Sequence, residues 1–290
     1  MMDSSNQPAG QHSNRWQNIV VIIGLILTLV AGASFRMVGV NWDENQHMHP
    51  DERHLSNVQS RITSVSSLSE YFDTNNSPLN PANQGFGFFV YGTLPIFMVH
   101  YIGEALGQLG YDPITIVGRY VSATFDILTI LLVFAIGKRL SGKWVGLLGA
   151  AFYAFAVLPI QLSHFATVDA VTNTFAYLAV WAAVWTLTRP EPEFREEQSK
   201  FTRVFIGLAP YLLFGLALGA ATASKINAVV VALVLPLAEW VRIRRLDEEA
   251  REKAFFLALR NVVVAAVLSF LVFRIGQPYA FNGPGFFNMG

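Results

Sequence analysis

The run His49-Pro50-Asp51-Glu52-Arg53-His54 holds the residue types in this chain best suited to chemistry. It follows a long apolar segment near the N-terminus, so two adjacent carboxylates sit where a membrane helix would leave the bilayer. Charge beside a hydrophobic bundle is costly and marks function by default. A carboxylate in that position can serve as general base toward a hydroxyl. The same two acids could instead cap the helix expected after Pro50, because acids favour an N-terminal turn. His47, His49 and His54 could join them around a metal, although their spacing matches no established zinc signature.

The rest of the chain says what must position these groups. Of 290 residues, 53% are hydrophobic and 14% charged, against about 25% charged in soluble domains. Lys+Arg and Asp+Glu both number 20, so net charge gives no pull toward nucleic acid, and none is expected as a partner. The absence of cysteine excludes disulfides, thiolate nucleophiles and sulfur metal sites. Seven apolar segments approach the roughly 20 residues a spanning helix needs: 18–38, 120–138, 144–162, 170–187, 204–223, 226–241 and 261–276. Backbone in lipid must satisfy its own polar groups, so these are helices. The expected fold is an all-α polytopic membrane protein with about seven spans. The first segment could be a cleaved signal peptide with Ala31-Gly32-Ala33 as the small-residue site. Its apolar run exceeds the usual ~7–15 residues, which favours an uncleaved anchor.

Basic residues set the orientation. With residues 1–17 cytoplasmic, fourteen Lys and Arg fall inside and six outside. Asp51 and Glu52 then lie on the extracytoplasmic face of the plasma (inner) membrane, in a long loop, 39–118. The apolar, aromatic stretch 85–109 reads as an interfacial or re-entrant helix. Counting it as an eighth span would put Lys138, Arg139 and the Arg242–Arg245 cluster outside. A six-helix bundle follows over 119–276, and 277–290 begins a further outer loop.

This topology brings several ionisable residues to one face: Asp51, Glu52, Arg119, His164, Asp169, Lys225 and Arg274. Taken singly, Asp169 could be a helix cap, Lys225 a snorkelling interface residue, and Arg119 and Arg274 interface anchors. Asp126, two turns below Arg119, is expected to pair within the bundle. Together the outer-face groups suit a carboxylate base with cations around a phosphate. The lipid bilayer itself is the expected source of the substrate.

The ordered set resembles a known family. It comprises an anchor span, an Asp-Glu pair in a long first outer loop, Gly118-Arg119-Tyr120-Val121-Ser122-Ala123, and the Gly137-Lys138-Arg139-Leu140 exit. It continues with the turn Ser163-His164-Phe165-Ala166-Thr167-Val168-Asp169 and Gly215–Gly219 leading to Ala223-Ser224-Lys225. This is similar to the membrane-embedded GT-C glycosyltransferases, the protein O-mannosyltransferases and the aminoarabinose-transferase type above all. The resemblance implies inverting transfer of a sugar from a polyprenyl-phosphate donor to a hydroxyl of a protein, lipid or glycan acceptor. It makes Asp51 the catalytic acidic residue, Glu52 its partner and Asp169 a second acidic residue. It gives Arg119, Lys225 and Arg274 to the donor phosphate. His49, His54 and His164 become neighbours of the site or metal ligands. No cofactor is fixed; the carboxylates suit a hard divalent ion such as Mg or Mn.

Two departures matter. Tyr91-Gly92-Thr93-Leu94-Pro95 stands where the aminoarabinose type carries a Glu-Lys pair, which argues against that donor and a lipid A acceptor. The family has more spans, so the chain reads as an N-terminal fragment. The competing readings are a membrane transporter, with Asp126, Asp169, Lys225 and Arg274 lining a path, and a non-catalytic membrane subunit.

Overall fold

The computed structural model describes residues 9–189 and 200–281. Among them, six helices are long and apolar enough to cross a membrane, and a bent pair makes a seventh span. The spans are α1 (Ala9–Met37), α5 (Tyr111–Ser141), the bent pair α6 (Lys143–Phe155) and α7 (Val157–Ser163), α8 (Asp169–Thr188), α9 (Lys200–Ser224), the stretch Ile226–Arg244 that ends in α10 (Val234–Arg244), and α11 (Glu248–Gly276). Outside them lie α2 (Pro50–Gln59), α3 (Leu68–Tyr71) and α4 (Thr93–Leu106). The protein is all-α and integral to a membrane.

Four spans differ from the sequence expectation at their ends or along their length. α5 starts at Tyr111, nine residues before the apolar run, and α11 starts at Glu248 rather than 261. Both helices continue past the lipid, where polar residues cost nothing. The third span is not straight: α6 and α7 meet at 57° across Ala156. Pro159 lacks the N–H that would bond Phe155, and its ring crowds that carbonyl. The sixth span begins as a 3-10 helix, Ile226–Leu233, before α10. Pro236 forces the same loss one turn earlier.

The α6–α7 break is filled from α1. Arg36 donates to the carbonyls of Ala154 at 2.9 Å and Tyr153 at 3.3 Å, and its Nε meets Asp126 at 2.5 Å. The Tyr153 hydroxyl donates to the other Asp126 oxygen at 2.6 Å. Asp126 is thus a bundle residue, and α1 is locked to the bundle by it. Behind the site, α9 packs on α11 through Gly215 and Gly219. A Cβ on either would come 2.5 Å from the carbonyl of Ala265 or Ser269, so small residues here permit backbone contact.

The segment between α1 and α5 forms a cap on one end of the bundle. α4 has 14 residues and so about 21 Å of length, short of the roughly 30 Å hydrocarbon core. Leu55, Val58 and Ile62 from α2 and its exit bury against Leu79, Ile96, Phe97 and Val168. This small core fixes α2 over the α7–α8 turn and thereby aims its first-turn acids.

Candidate active site

His49 starts α2. Its ring nitrogen accepts from the Glu52 amide at 3.3 Å, and Pro50 at the first helical position fixes the backbone. The two acids that follow meet different surroundings. Glu52 shares the packed side of α2 with Leu55, Ser56 and Gln59 and is fully buried. Asp51 remains exposed.

Glu52 is held by three groups. Arg119 Nε donates to Oε1 at 2.8 Å and Nη2 to Oε2 at 2.7 Å, and the Ala166 amide donates to Oε1 at 2.6 Å. Arg119 also donates to both oxygens of Asp43, at 2.9 and 2.8 Å, and to the Val40 carbonyl at 2.9 Å. Every guanidinium N–H is thereby engaged. Trp42 lies 5.7 Å over the same guanidinium. Burying three charges is costly, and this set offsets it by full hydrogen bonding. The Arg119 guanidinium holds the Asp43 carboxyl below its usual range, against the opposing effect of burial. With all five N–H groups engaged, Arg119 acts here as a clamp on Glu52 and Asp43 rather than presenting a free donor to a phosphate.

The clamp joins α2 to the turn before α8, which carries Asp169. On the open side of that junction Asp169 pairs with Lys225 at 2.7 Å, with the Lys225 side chain 42% exposed. Tyr91 stands between the acids. Its phenol is raised above the ordinary range, first by burial and then by the charge and hydrogen bond of Asp51, with Asp169 adding to it. Tyr91 thus links Asp51 to the Asp169–Lys225 pair.

Tyr91 is pinned from its C-terminal side. The Gly92 amide donates to the Ser224 carbonyl at 3.1 Å. A Cβ on Gly92 would overlap the Ala223 carbonyl oxygen. Thr93 bonds the Gly276 carbonyl through its hydroxyl at 2.7 Å. The loop is so fastened to the ends of α9 and α11 beside Lys225.

The other expected site residues take up packing and capping positions. Arg274 is buried between the rings of Phe72 and Phe281, 4.8 and 4.6 Å away. The His164 ring lies between the carbonyls of Ile160 and Val38, its two nitrogens 2.8 and 3.1 Å from them, at the junction of α7 with the exit of α1. His54 sits among Phe86, Phe89 and Tyr91. His49 is the cap of α2 and packs on Phe165. Among the described residues no three His, Asp or Glu side chains gather as metal ligands. Asp43 and Tyr91 were not singled out from sequence. Tyr91 had a signal in its neighbour, a glycine between an aromatic run and a helix start.

Against known proteins, the family described as dolichyl-phosphate-mannose-protein mannosyltransferase matches residues 96–277, well over half of the chain. The chain belongs to this family. The match takes in Arg119, Asp169, Lys225 and Arg274 of this mannosyltransferase-family chain and starts after Asp51 and Glu52. Comparison with curated proteins gives no match. Among solved structures, the chain resembles one from the S. cerevisiae protein O-mannosyltransferase Pmt1-Pmt2 complex bound to the sugar donor. The TM-score is 0.61 at 19% identity, over 91% of this chain and 35% of that one. The likeness establishes a shared membrane fold. The mannosyltransferase-family chain spans about a third of the length of that relative.

Proposed function

We propose that this chain is the catalytic membrane part of a glycosyltransferase. It moves mannose, with inversion, from a dolichyl- or other polyprenyl-phosphate donor to an acceptor hydroxyl on a protein. The observation that carries the reading is the separation of two neighbouring carboxylates: Glu52 is locked under Arg119, while Asp51 is left open beside Tyr91 and the Asp169–Lys225 pair.

In the proposed reaction the acceptor oxygen attacks the anomeric carbon, and the bond from that carbon to the phosphate oxygen breaks. The phosphate leaves with the electron pair. Asp51 takes the hydroxyl proton as the new glycosidic bond forms. Lys225, partly exposed, is placed to face the leaving phosphate, and Asp169 orients it. Glu52 keeps α2 in register. With N-terminus in the cytoplasm, as the basic residues favour, this chemistry occurs on the extracytoplasmic face of the plasma membrane.

The test is transfer of radiolabelled mannose from polyprenyl-phosphate-mannose to a Ser/Thr peptide by membranes holding wild type or Asp51→Asn. General-base loss should lower kcat by about 10²–10⁴-fold, with unchanged membrane accumulation. Normal turnover by Asp51→Asn would sink the assignment. A wild type active only with a different lipid-linked sugar would correct the donor.

A further inference from the structure

α10 and α11 follow each other through the turn at residues 245–247, yet α10 leans mainly on α8 and α11 on α9. α10 packs on α8, and its Glu239 takes the Tyr211 hydroxyl of α9 at 2.5 Å. α11 packs on α9 through the Gly215 and Gly219 contacts. The two helices splay and leave a groove of about 340 Å³ between them. Its walls are Pro236, Trp240, Phe255, Leu259 and Val262, and the small, buried Ala258 adds no bulk to fill it.

The groove opens outward: Trp240, Phe255 and Leu259 are each about half exposed. It lies at the membrane face opposite Asp51, since the far end of α11, Gly276, abuts Ala223 and Leu94 near Lys225. Two arginines, Arg244 and Arg251, line its mouth. Arg244 stacks 4.9 Å over Trp240. Arg251 spends only its Nε, on the Leu246 carbonyl at 3.0 Å. Neither pairs with a carboxylate among the described residues. One acid, Glu239, also lines the groove, but Tyr211 and Arg242 already donate to it. The acids of the turn and early α11, Asp247, Glu248, Glu249 and Glu252, line none of it.

We infer that this groove holds one anionic phospholipid, its phosphate between Arg244 and Arg251 and an acyl chain along Trp240, Phe255 and Leu259. The guanidinium fork matches a phosphate. Basic pockets between membrane helices recognise acidic headgroups. Tryptophan favours the headgroup level at which Trp240 would lie. The site is separate from the proposed transferase chemistry and does not rest on it.

The test is native mass spectrometry of the full chain released from detergent holding equal phosphatidylglycerol and phosphatidylcholine. One phosphatidylglycerol should be retained, with a preference on the order of tenfold. Arg244→Gln combined with Arg251→Gln should bring that preference close to unity. If the double variant does not fold, wild type still decides the matter. Brominated-chain phosphatidylglycerol should quench the emission that Trp240→Phe removes, and brominated phosphatidylcholine should quench it far less. Equal retention or equal quenching of the two lipids overturns the proposal. So does an unchanged preference in a folded double variant, or a Phe255→Cys protein that cross-links to a second copy through the groove.

Discussion

Arg119 gives two N–H groups to the two oxygens of Glu52, at 2.8 and 2.7 Å, and both side chains are buried. This is a fork-to-fork pair, and its geometry sets α2 against α5. The pair does structural work at the edge of the proposed catalytic site, so its loss should look different from the loss of Asp51. Arg119→Gln leaves Glu52 and Asp43 buried without a cation, which costs about 3–5 kcal/mol. Thermal unfolding of the detergent-solubilised protein should show that drop, with reduced accumulation in membranes. Asp51→Asn, by contrast, should unfold where wild type does. An Arg119→Gln protein as stable as wild type would remove the clamp from the account.

Asp43 extends the clamp into an acid limit. Its carboxyl is held below the usual range by Arg119. A depressed folded-state value means that the stability it contributes is complete above the usual carboxylate pKa, near 4. That contribution is lost as pH falls through the lower folded value. Wild type should therefore lose stability steeply below about pH 4. Asp43→Asn should start less stable at neutral pH and show a shallower acid slope. Parallel acid curves for the two proteins would contradict the assignment.

The spans were legible because lipid leaves the backbone no alternative to a helix, so apolar runs announce themselves. Their ends were not, because α5 and α11 continue into water, where hydropathy no longer marks the helix. The start of α2 was legible from Pro50 and the two acids that follow it. The fates of Glu52 and Arg119 were not. An arginine near a membrane face is equally suited to a phosphate and to a carboxylate, and only the fold of 38–49 brings Asp43 to it. The surroundings of Arg274 were hidden too, because the aromatic sandwich of Phe72 and Phe281 is assembled from segments some 200 residues apart. The loop that carries Asp43 also holds left-handed backbone at Glu44, Asn45 and His47; asparagine and histidine are enriched in that region, but glutamate gives no such sign.

Lys225 separates binding from folding. Its pair with Asp169 is partly exposed, so the stability at stake is small, within about 1 kcal/mol. Lys225→Met should leave unfolding almost unmoved and raise the KM for the lipid-linked donor by about tenfold, the scale of one charge-assisted contact. Lys225→Arg should recover part of the loss, because the charge is kept. A rise in acceptor KM with donor KM unchanged would move Lys225 away from the phosphate.

Gly92 tests whether Tyr91 acts through its position. Gly92 lies so close to the end of α9 that any side chain strikes the Ala223 carbonyl, a backbone atom that cannot rotate aside. Gly92→Ala must therefore displace the loop and carry Tyr91 away from Asp51, with an overpacking cost of about 1–3 kcal/mol. Tyr91→Phe removes only the hydroxyl that faces Asp51. If the phenol orients the base, both variants should lower kcat, Tyr91→Phe by several-fold and Gly92→Ala by more. Only Gly92→Ala should lower the unfolding temperature. Full activity in Tyr91→Phe alongside an inactive Gly92→Ala would assign the loop to packing alone, with Asp51 oriented by α2 and its clamp.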